Sequence, residues 1–321
     1  MSDSLRHPTA VFRSLAEIPA GFGPAVAAIG NFDGVHLGHR EILSAVVAEA
    51  QSLQARAVAI TFDPHPEHFL RPAHAPGLLT PIDERVRLLA ATGIDAVLVL
   101  TFDAALAKMR AHDFVRQVLA NALQVRSLHE GGNFRCGYRA EAGVKELAQY
   151  GAELGFVLHV HKPVHVHGLE VSSSAIRDLV AAGDMKRARW MLGRPFAVRS
   201  TQARGRGVGA QLLVPTVNLA AYSGLLPAFG VYVTRLTVAG RCFQAVTNVG
   251  NRPTFQGAGF SVETHILDFE PVELTEDTPL DLEFLLRLRP EIAWPSPEAL
   301  KAQIFKDVAR AKRYFQLCDR V

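Results

Sequence analysis

Two histidines three residues apart, His36 and His39, lie in the string Gly30-Asn31-Phe32-Asp33-Gly34-Val35-His36-Leu37-Gly38-His39. Imidazole suits phosphoryl or nucleotidyl transfer, because a ring N–H can donate to oxygens whose charge grows in the transition state. Gly30, Gly34 and Gly38 permit a tight turn and let a phosphate approach the backbone. Chemistry of this kind needs a strand, a turn and a helix in that order. Ala25 to Ile29 reads as a buried strand and Glu41 to Val47 as the helix. The helix start then offers free backbone N–H groups and a positive dipole end to an anion. The spacing is neither GxxxxGK[ST] nor GxGxxG, which excludes the P-loop and the dinucleotide fingerprint. A glycine-rich turn carrying two surface histidines is the plain alternative. It leaves the shared spacing of glycines and histidines without a purpose.

A second candidate is Ser172-Ser173-Ser174-Ala175-Ile176-Arg177 at the start of a short helix. Serines there cap free N–H groups, and beside a triphosphate they can also donate to oxygen. Arg177, one turn inside, can fork onto phosphates. His159, His161, His165 and His167 alternate, so within each pair the rings project from one side of an extended chain. A metal site is conceivable there. Pro163 interrupts the run, however, and no cysteine or carboxylate completes a set, which favours a solvated strand end.

The elements that must hold these residues follow an α/β pattern. Ala57 to Phe62 and Ala96 to Leu100 read as further strands, and the approach to Gly131 and the stretch Phe156 to Val160 as two more. Helices are expected from the Thr80-Pro81-Ile82 start, with Thr80 as cap, over His112 to Ala122, from about Ala142 to Leu154, and over Met185 to Leu192. Three glycine- or proline-rich loops (Gly30 to His39, Asp63 to Pro66, Gly131 to Gly137) then open at the carboxyl edge of a parallel sheet, where ligands bind in such folds. After Gly193 and Pro195 the pattern turns to alternating strands: Gly230 to Leu236, Arg241 to Val246 around Ala239-Gly240, Ser261 to Phe269 and Leu280 to Leu288. A helix capped at Ser296-Pro297 closes the chain, and the set suggests a small antiparallel barrel. The expected division is 1–192 and 193–321.

The 321 residues suffice for two domains with a sizeable core each. A net charge of +3 without a long basic run gives no electrostatic signature for nucleic acid. No apolar run approaches a membrane span, and the start of the chain lacks an apolar signal core. Cys136, Cys242 and Cys318 are scattered, which argues for a reducing compartment, the cytoplasm, and against structural zinc.

The string GNFDGVHLGH resembles the opening motif of the prokaryotic bifunctional riboflavin kinase/FAD synthetases, within the nucleotidyltransferase superfamily. Thr61-Phe62-Asp63-Pro64-His65-Pro66, Asn133-Phe134-Arg135 and the serine string resemble that family's later N-terminal motifs, with Ser174 for threonine and Cys136 for an aromatic. Pro215-Thr216-Val217-Asn218, Gly230-Val231-Tyr232, Asn248 to Phe255 and Val262-Glu263-Thr264-His265 resemble the strings of its kinase barrel. The resemblance implies a Rossmann-like domain that adenylates FMN to FAD with release of pyrophosphate, and a barrel that phosphorylates riboflavin to FMN. It implies that His36, His39 and Arg177 act on the ATP phosphates, with Gly30, Asn31, Phe32, Gly34, Gly38, Ser172 and Ser173 around the nucleotide. Phe62, Pro64, Asn133 and Arg289 would lie on the flavin side. In the barrel, Thr216 and Asn218 would hold Mg²⁺ against ATP, Glu263 would serve as base with Asn218 beside it, and Gly205 and Gly209 would belong to the ATP loop. Taken alone, Glu263 reads as an ordinary exposed strand glutamate. The kinase loop departs from the family pattern at Ser200, Ala210 and Leu213. A paralogue with weak, lost or altered-substrate kinase activity is therefore one rival. A non-catalytic flavin-binding regulator is another, and the intact histidine pair and PTxN string argue against it.

Overall fold

The computed structural model describes residues 8–203, 216–254, 257–268 and 275–318, with backbone alone over 251–254 and 257–259. The chain forms two compact units, Met1–Ser173 and Ser174–Val321.

The first unit holds a six-stranded sheet in the order β1-β4-β3-β2-β5-β6, and every pairing is parallel. Its strands are β1 (Ala10–Phe12), β2 (Ala25–Ile29), β3 (Arg56–Asp63), β4 (Ala96–Thr101), β5 (Val125–Gly131) and β6 (Val157–His161). β2 is buried throughout, because both sheet faces are covered. Ala25, Ala27 and Ile29 join the core on one face, and Val26 and Ala28 the core on the other. From β2 the chain proceeds to β3 and β4 on one side and later returns to β5 and β6 on the other. The gap between the carboxyl ends of β2 and β5 is therefore the switch point where α/β sheets bind ligands.

Helix α1 (Leu37–Ser52) follows β2, and α2 (Ile82–Ala90) precedes β4. The expected helix over 112–122 is α-helical at Ala111–Phe114 and continues as wider π turns over Val115–Ala122. Helix α3 (Val144–Leu154) precedes β6. One element escaped the sequence reading and one expectation is corrected here. β1 lacks a signal because three edge residues carry no period. Thr80 does not cap α2; Pro81 occupies the cap position, and the Thr80 hydroxyl serves Asp33 instead. Beyond β6, β7 (His165–Val166) and β8 (Leu169–Glu170) form a short antiparallel hairpin.

In the second unit, α4 (Ser173–Ala182) and α5 (Met185–Leu192) lead into β9 (Phe196–Thr201). These helices cluster with the barrel because Arg287 Nη1 donates to the Ala182 carbonyl at 3.2 Å and Ala228 N to the Val180 carbonyl at 3.3 Å. The barrel strands are β10 (Thr216–Asn218), β11 (Gly230–Val238), β12 (Arg241–Thr254), β13 (Gly257–Ile266) and β14 (Pro279–Pro290). They curl in the antiparallel order β10-β13-β12-β11-β14-β9. The two edges meet where Gln202 bridges Leu219, with Ala203 N on the Asn218 carbonyl and Ala220 N on that of Thr201, both at 2.9 Å. Ala239 and Gly240 both have positive φ, 49° and 75°, as the tight hairpin between β11 and β12 requires.

Side-chain alternation separates two barrel faces. The inner face carries Tyr232 edge-on to Phe284 at 5.3 Å and a chain of buried hydroxyls, Thr234 to Thr247 to Thr264, at 2.8 and 3.0 Å. The outer face carries Val231 and Val233, which pack against Ala311 and Phe315 of α6 (Pro297–Cys318). Burying such a cluster is worth roughly 1.5–3 kcal/mol per large apolar side chain.

Candidate active sites

A cavity of about 550 Å³ opens at the switch point of the first unit. Gly30, Phe32, His36, Gly38, His39, Asn133, Ser172 and Ser173 all line it, so the structure gathers these expected residues from three separate stretches of sequence.

The loop that presents the histidines is anchored from below. Phe32 and Val35 adopt positive φ, 47° and 37°, yet each is only 2% exposed, so burial of their side chains holds the left-handed backbone in place. Asp33 is fully buried. Its carboxylate accepts from Leu79 N at 3.0 Å, Thr80 N at 2.9 Å and the Thr80 hydroxyl at 3.1 Å. The same hydroxyl oxygen accepts from Gly34 N at 2.9 Å. Ser173 donates its hydroxyl to the Asp33 carbonyl at 2.8 Å, which ties the serine string to the loop. Asn31 is held through its carbonyl by the Thr61 hydroxyl at 3.1 Å.

His36 is the N-cap of α1, and its Nδ1 accepts from His39 N at 3.3 Å. An accepting Nδ1 leaves the neutral ring its Nε2–H to donate. The two imidazoles stack, with centroids 3.6 Å apart and planes 16° apart, and Phe32 meets His39 edge-on at 5.2 Å. A Cβ at Gly38 would come within 3.2 Å of the His36 ring, so the glycine is needed for close approach rather than for its φ.

Glu130, which the sequence reading missed, also lines the cavity. It is 3% exposed, and its Oε1 accepts from Ile29 N at 2.7 Å just beyond the last β2–β5 rung. Burial holds its carboxyl well above the ordinary value, opposed only by that N–H. Cys136 is inert, because burial pushes its thiol to about 12.

Phe62 and Pro64 do not line this cavity. Phe62 lies at the carboxyl end of β3 and meets Phe102 edge-on at 5.9 Å, and Phe102 meets Phe69 at the same distance. This aromatic group gives a flat ligand something to stack on. The fully buried Arg85 holds the strand end in place by donating to the Phe62 carbonyl at 3.0 Å. Arg177 lies in α4, within the second unit.

The alternating histidines divide. His165 is exposed on β7, as a solvated run would be. His159 and His161 instead close on the buried His129 of β5, and the carboxylate that the sequence did not reveal is Glu49 of α1. Burial lowers the His129 imidazole, against the raising effect of Glu49; burial and the neighbouring His159 lower His161.

In the barrel, strand register assembles the expected kinase residues. Asn218 pairs with Glu263, Glu263 with Asn248, Asn248 with Val231 and Val231 with Arg289. Thr216, two residues from Asn218, faces the same way. Ser261 donates to Glu263 Oε1 at 3.0 Å, and the glutamate is exposed. Arg289 binds Asp307 of α6 at 2.9 Å and lies 5.5 Å over the Trp294 ring, so its guanidinium joins sheet to helix. Ser200 donates to the Ala220 carbonyl at 3.2 Å near the barrel seam. Gly205, Gly209, Ala210, Leu213 and Pro215 lie outside the described residues.

A parallel sheet with a paired-histidine helix start at its switch point, joined to a curled antiparallel barrel with an Asn–Glu row, defines a two-part ATP-using transferase. The FAD synthetase family model matches residues 19–175 and the riboflavin kinase family model residues 192–315. Bifunctional riboflavin kinase/FMN adenylyltransferases are similar over nearly the whole length. The protein from Pseudomonas fluorescens is 35% identical over 89% of this chain and 92% of its own. That from Escherichia coli K12 is 32% identical over 91% and 93%, and that from Haemophilus influenzae 31% over 89% and 93%. The chain belongs to the bifunctional riboflavin kinase/FMN adenylyltransferase family. A crystal structure described as a macrolide-efflux protein from Streptococcus pneumoniae shares the fold, with a TM-score of 0.85, 24% identity and coverage of 95% of this chain and 99% of that one. That likeness concerns the fold alone. Among the described residues no helix is long and apolar enough to cross a membrane.

Proposed function

We propose that the protein phosphorylates riboflavin to FMN with ATP and then adenylates FMN to FAD, releasing pyrophosphate. The observation that carries this reading is the match of both family models, in tandem, on a chain whose paired histidines line a cavity at the sheet switch point. We assign adenylyl transfer to 1–192 and phosphorylation to 193–321, with the reactions in the cytoplasm.

In adenylyl transfer an FMN phosphate oxygen attacks the α-phosphorus of ATP, and the bond to the bridging oxygen of pyrophosphate breaks. A phosphate monoester is already ionised near neutral pH, so no general base is required. His36 and His39 donate to phosphate oxygens as charge builds, from rings fixed beforehand by stacking and the helix cap. Arg177 and Ser172 hold the triphosphate, while Asn133, Phe62 and Pro64 serve the flavin side. Ser173 joins Arg177 and Ser172 from a position fixed by its hydroxyl, which donates to the Asp33 backbone carbonyl.

Phosphorylation of riboflavin uses a primary alcohol, which benefits from a base. Glu263 takes the hydroxyl proton, and Asn218 and Asn248 flank it in register. The hydroxyl of Thr216 and the amide oxygen of Asn218 are hard oxygen donors, which suits Mg²⁺. Bound there, the ion would neutralise ATP phosphate charge. Arg289 supports the flavin side from its place on β14.

Product analysis tests the whole assignment. With ATP and Mg²⁺, riboflavin should yield FMN and then FAD, and supplied FMN should yield FAD and pyrophosphate. FAD from FMN without any FMN from riboflavin would identify a paralogue that has lost the kinase step. Flavin binding without either product would identify a regulator.

A further inference from the structure

In one wall of the nucleotide cavity, which His129 and His161 help to line, the imidazoles of His129 and His159 from two neighbouring strands crowd the carboxylate of Glu49 from α1. His129 Nε2 lies 2.7 Å from Glu49 Oε2, and His159 Nε2 lies 3.5 Å from the same oxygen. The three ligand-capable atoms all fall within 4.8 Å of one another. The His129 and His159 rings are parallel to within 20°, with centroids 4.8 Å apart. On the far side of His129, Nδ1 lies 3.0 Å from His161 Nε2.

We propose that Glu49, His129 and His159 form a binding site for a transition-metal ion of the zinc type, with His161 as the partner that orients His129. In a tetrahedral site with bonds of about 2.0–2.1 Å, neighbouring ligand atoms stand about 3.3 Å apart. The His159–Glu49 pair at 3.5 Å already fits, the His129–Glu49 pair at 2.7 Å needs to open slightly, and the two imidazole nitrogens stand within 4.8 Å of each other. His129 is the fixed member at 4% exposure, whereas the side chains of His159 and Glu49 are 45% and 26% exposed and free to adjust. Their exposure also gives the ion a path in. In the metal-free form the carboxylate accepts the Nε2–H of His129, whose Nδ1 accepts from His161. On binding, the ion takes Nε2 and its proton passes to solvent; the proton of the bond shifts from His161 Nε2 to His129 Nδ1, and His161 takes a proton from solvent on its own Nδ1, so both rings stay neutral and the hydrogen bond reverses. That is the arrangement in which the second nitrogen of a metal-bound histidine is fixed by an outer partner.

The donor set decides the class of ion. Two imidazoles and one carboxylate suit zinc, cobalt or nickel, whereas Mg²⁺ takes oxygen ligands and keeps several waters. The donor set therefore distinguishes this ion from any Mg²⁺ that accompanies ATP in the cavity that His129 and His161 help to line. Three protein ligands leave a fourth position for water. The inference does not depend on the proposed reaction, since binding is measured without nucleotide or flavin.

The test is a titration of the intact protein with Co²⁺ in excess Mg²⁺, followed by visible d–d absorption and then by displacement with Zn²⁺. Wild type should show one saturable band of tetrahedral intensity that Zn²⁺ abolishes. Glu49→Gln and His159→Gln should each weaken binding at least about ten-fold, and His161→Gln by roughly ten-fold through its effect on His129. Both ligand positions are partly exposed, and thermal melts would verify folding. His165→Gln and His36→Ala should leave the band intact, which separates the site from the solvated histidines and from the stacked pair. Absence of a saturable band in wild type, or its loss in His36→Ala with retention in His159→Gln, would overturn the proposal.

Discussion

Gly38→Ala isolates the position of the His36 ring from its chemistry. Gly38 is the second residue of α1 and has an ordinary helical backbone, so alanine is conformationally acceptable there. In a helix interior that change gains up to about 1 kcal/mol, and less in the first turn. The new Cβ, however, would stand 3.2 Å from His36 Cε1 and 3.3 Å from Nδ1, so the imidazole must yield by a few tenths of an ångström. A 1 Å misplacement of a reacting group costs about 10²-fold, or roughly 2.7 kcal/mol. Scaled to about 0.3 Å, the loss is about 0.8 kcal/mol, roughly four-fold in kcat for FAD formation. The assay is steady-state FAD formation from FMN and ATP, beside FMN formation from riboflavin and a thermal melt. The expected result is a Tm equal to or above that of wild type, a several-fold lower kcat for FAD, and unchanged phosphorylation. Full adenylyl transfer in this variant would refute the idea that the His36 ring must stay where the stacked pair holds it. Equal loss of both activities would point to a damaged fold.

Other outcomes follow from the same geometry. His36→Ala or His39→Ala should lower FAD formation by on the order of 10²-fold, as for loss of one preorganised donor, with FMN formation from riboflavin unchanged. Glu263→Gln should abolish nearly all riboflavin phosphorylation while FAD formation from FMN continues; retained kinase turnover would exclude it as the base. Glu130 gives a pH test. Its folded value lies above the ordinary 4.5, so it binds its proton more tightly when folded. Its contribution is present in full at low pH and is lost as pH rises from that ordinary value through the raised one. Glu130→Gln keeps an acceptor for Ile29 N–H, so its Tm should gain on wild type as pH rises across that window. A constant difference would contradict the assignment. Leu213→Gly with Ser200→Gly should lower the KM for ATP in riboflavin phosphorylation, and indifference to both changes would clear the altered loop of any cost.

The sheet strands were legible because buried apolar runs alternate with helical patterns, and the α1 cradle because its glycines and histidines are contiguous. What was hidden has a common cause. Glu49 stands 80 residues from His129, and no local period links a helix carboxylate to a strand imidazole. Glu130 reads as a charged residue ending a strand, since its acceptor role depends on the ladder stopping one rung earlier. Thr80 satisfied every rule for a helix cap, and a buried aspartate outbid the helix for its hydroxyl. The kinase residues were found as strings, but only strand register puts Asn218, Glu263 and Asn248 side by side. The helices at 173–192 read as the end of the first domain by chain order. Their contacts with Ala228 and Arg287 join them to the second unit.

The hairpin at Ala239-Gly240 governs more than a turn. Strand alternation has a period of two, so a slip of one residue between β11 and β12 inverts every side chain that follows. Inserting a single residue there would carry Asn248 into the barrel and swing Thr247 out of its chain of hydroxyls. β13 would have to follow, taking the carboxylate of Glu263 into the buried interior of the barrel. Length changes in this turn are thus a matter of parity. A two-residue extension preserves which face every partner occupies, and a one-residue extension exchanges the inner face for the outer one.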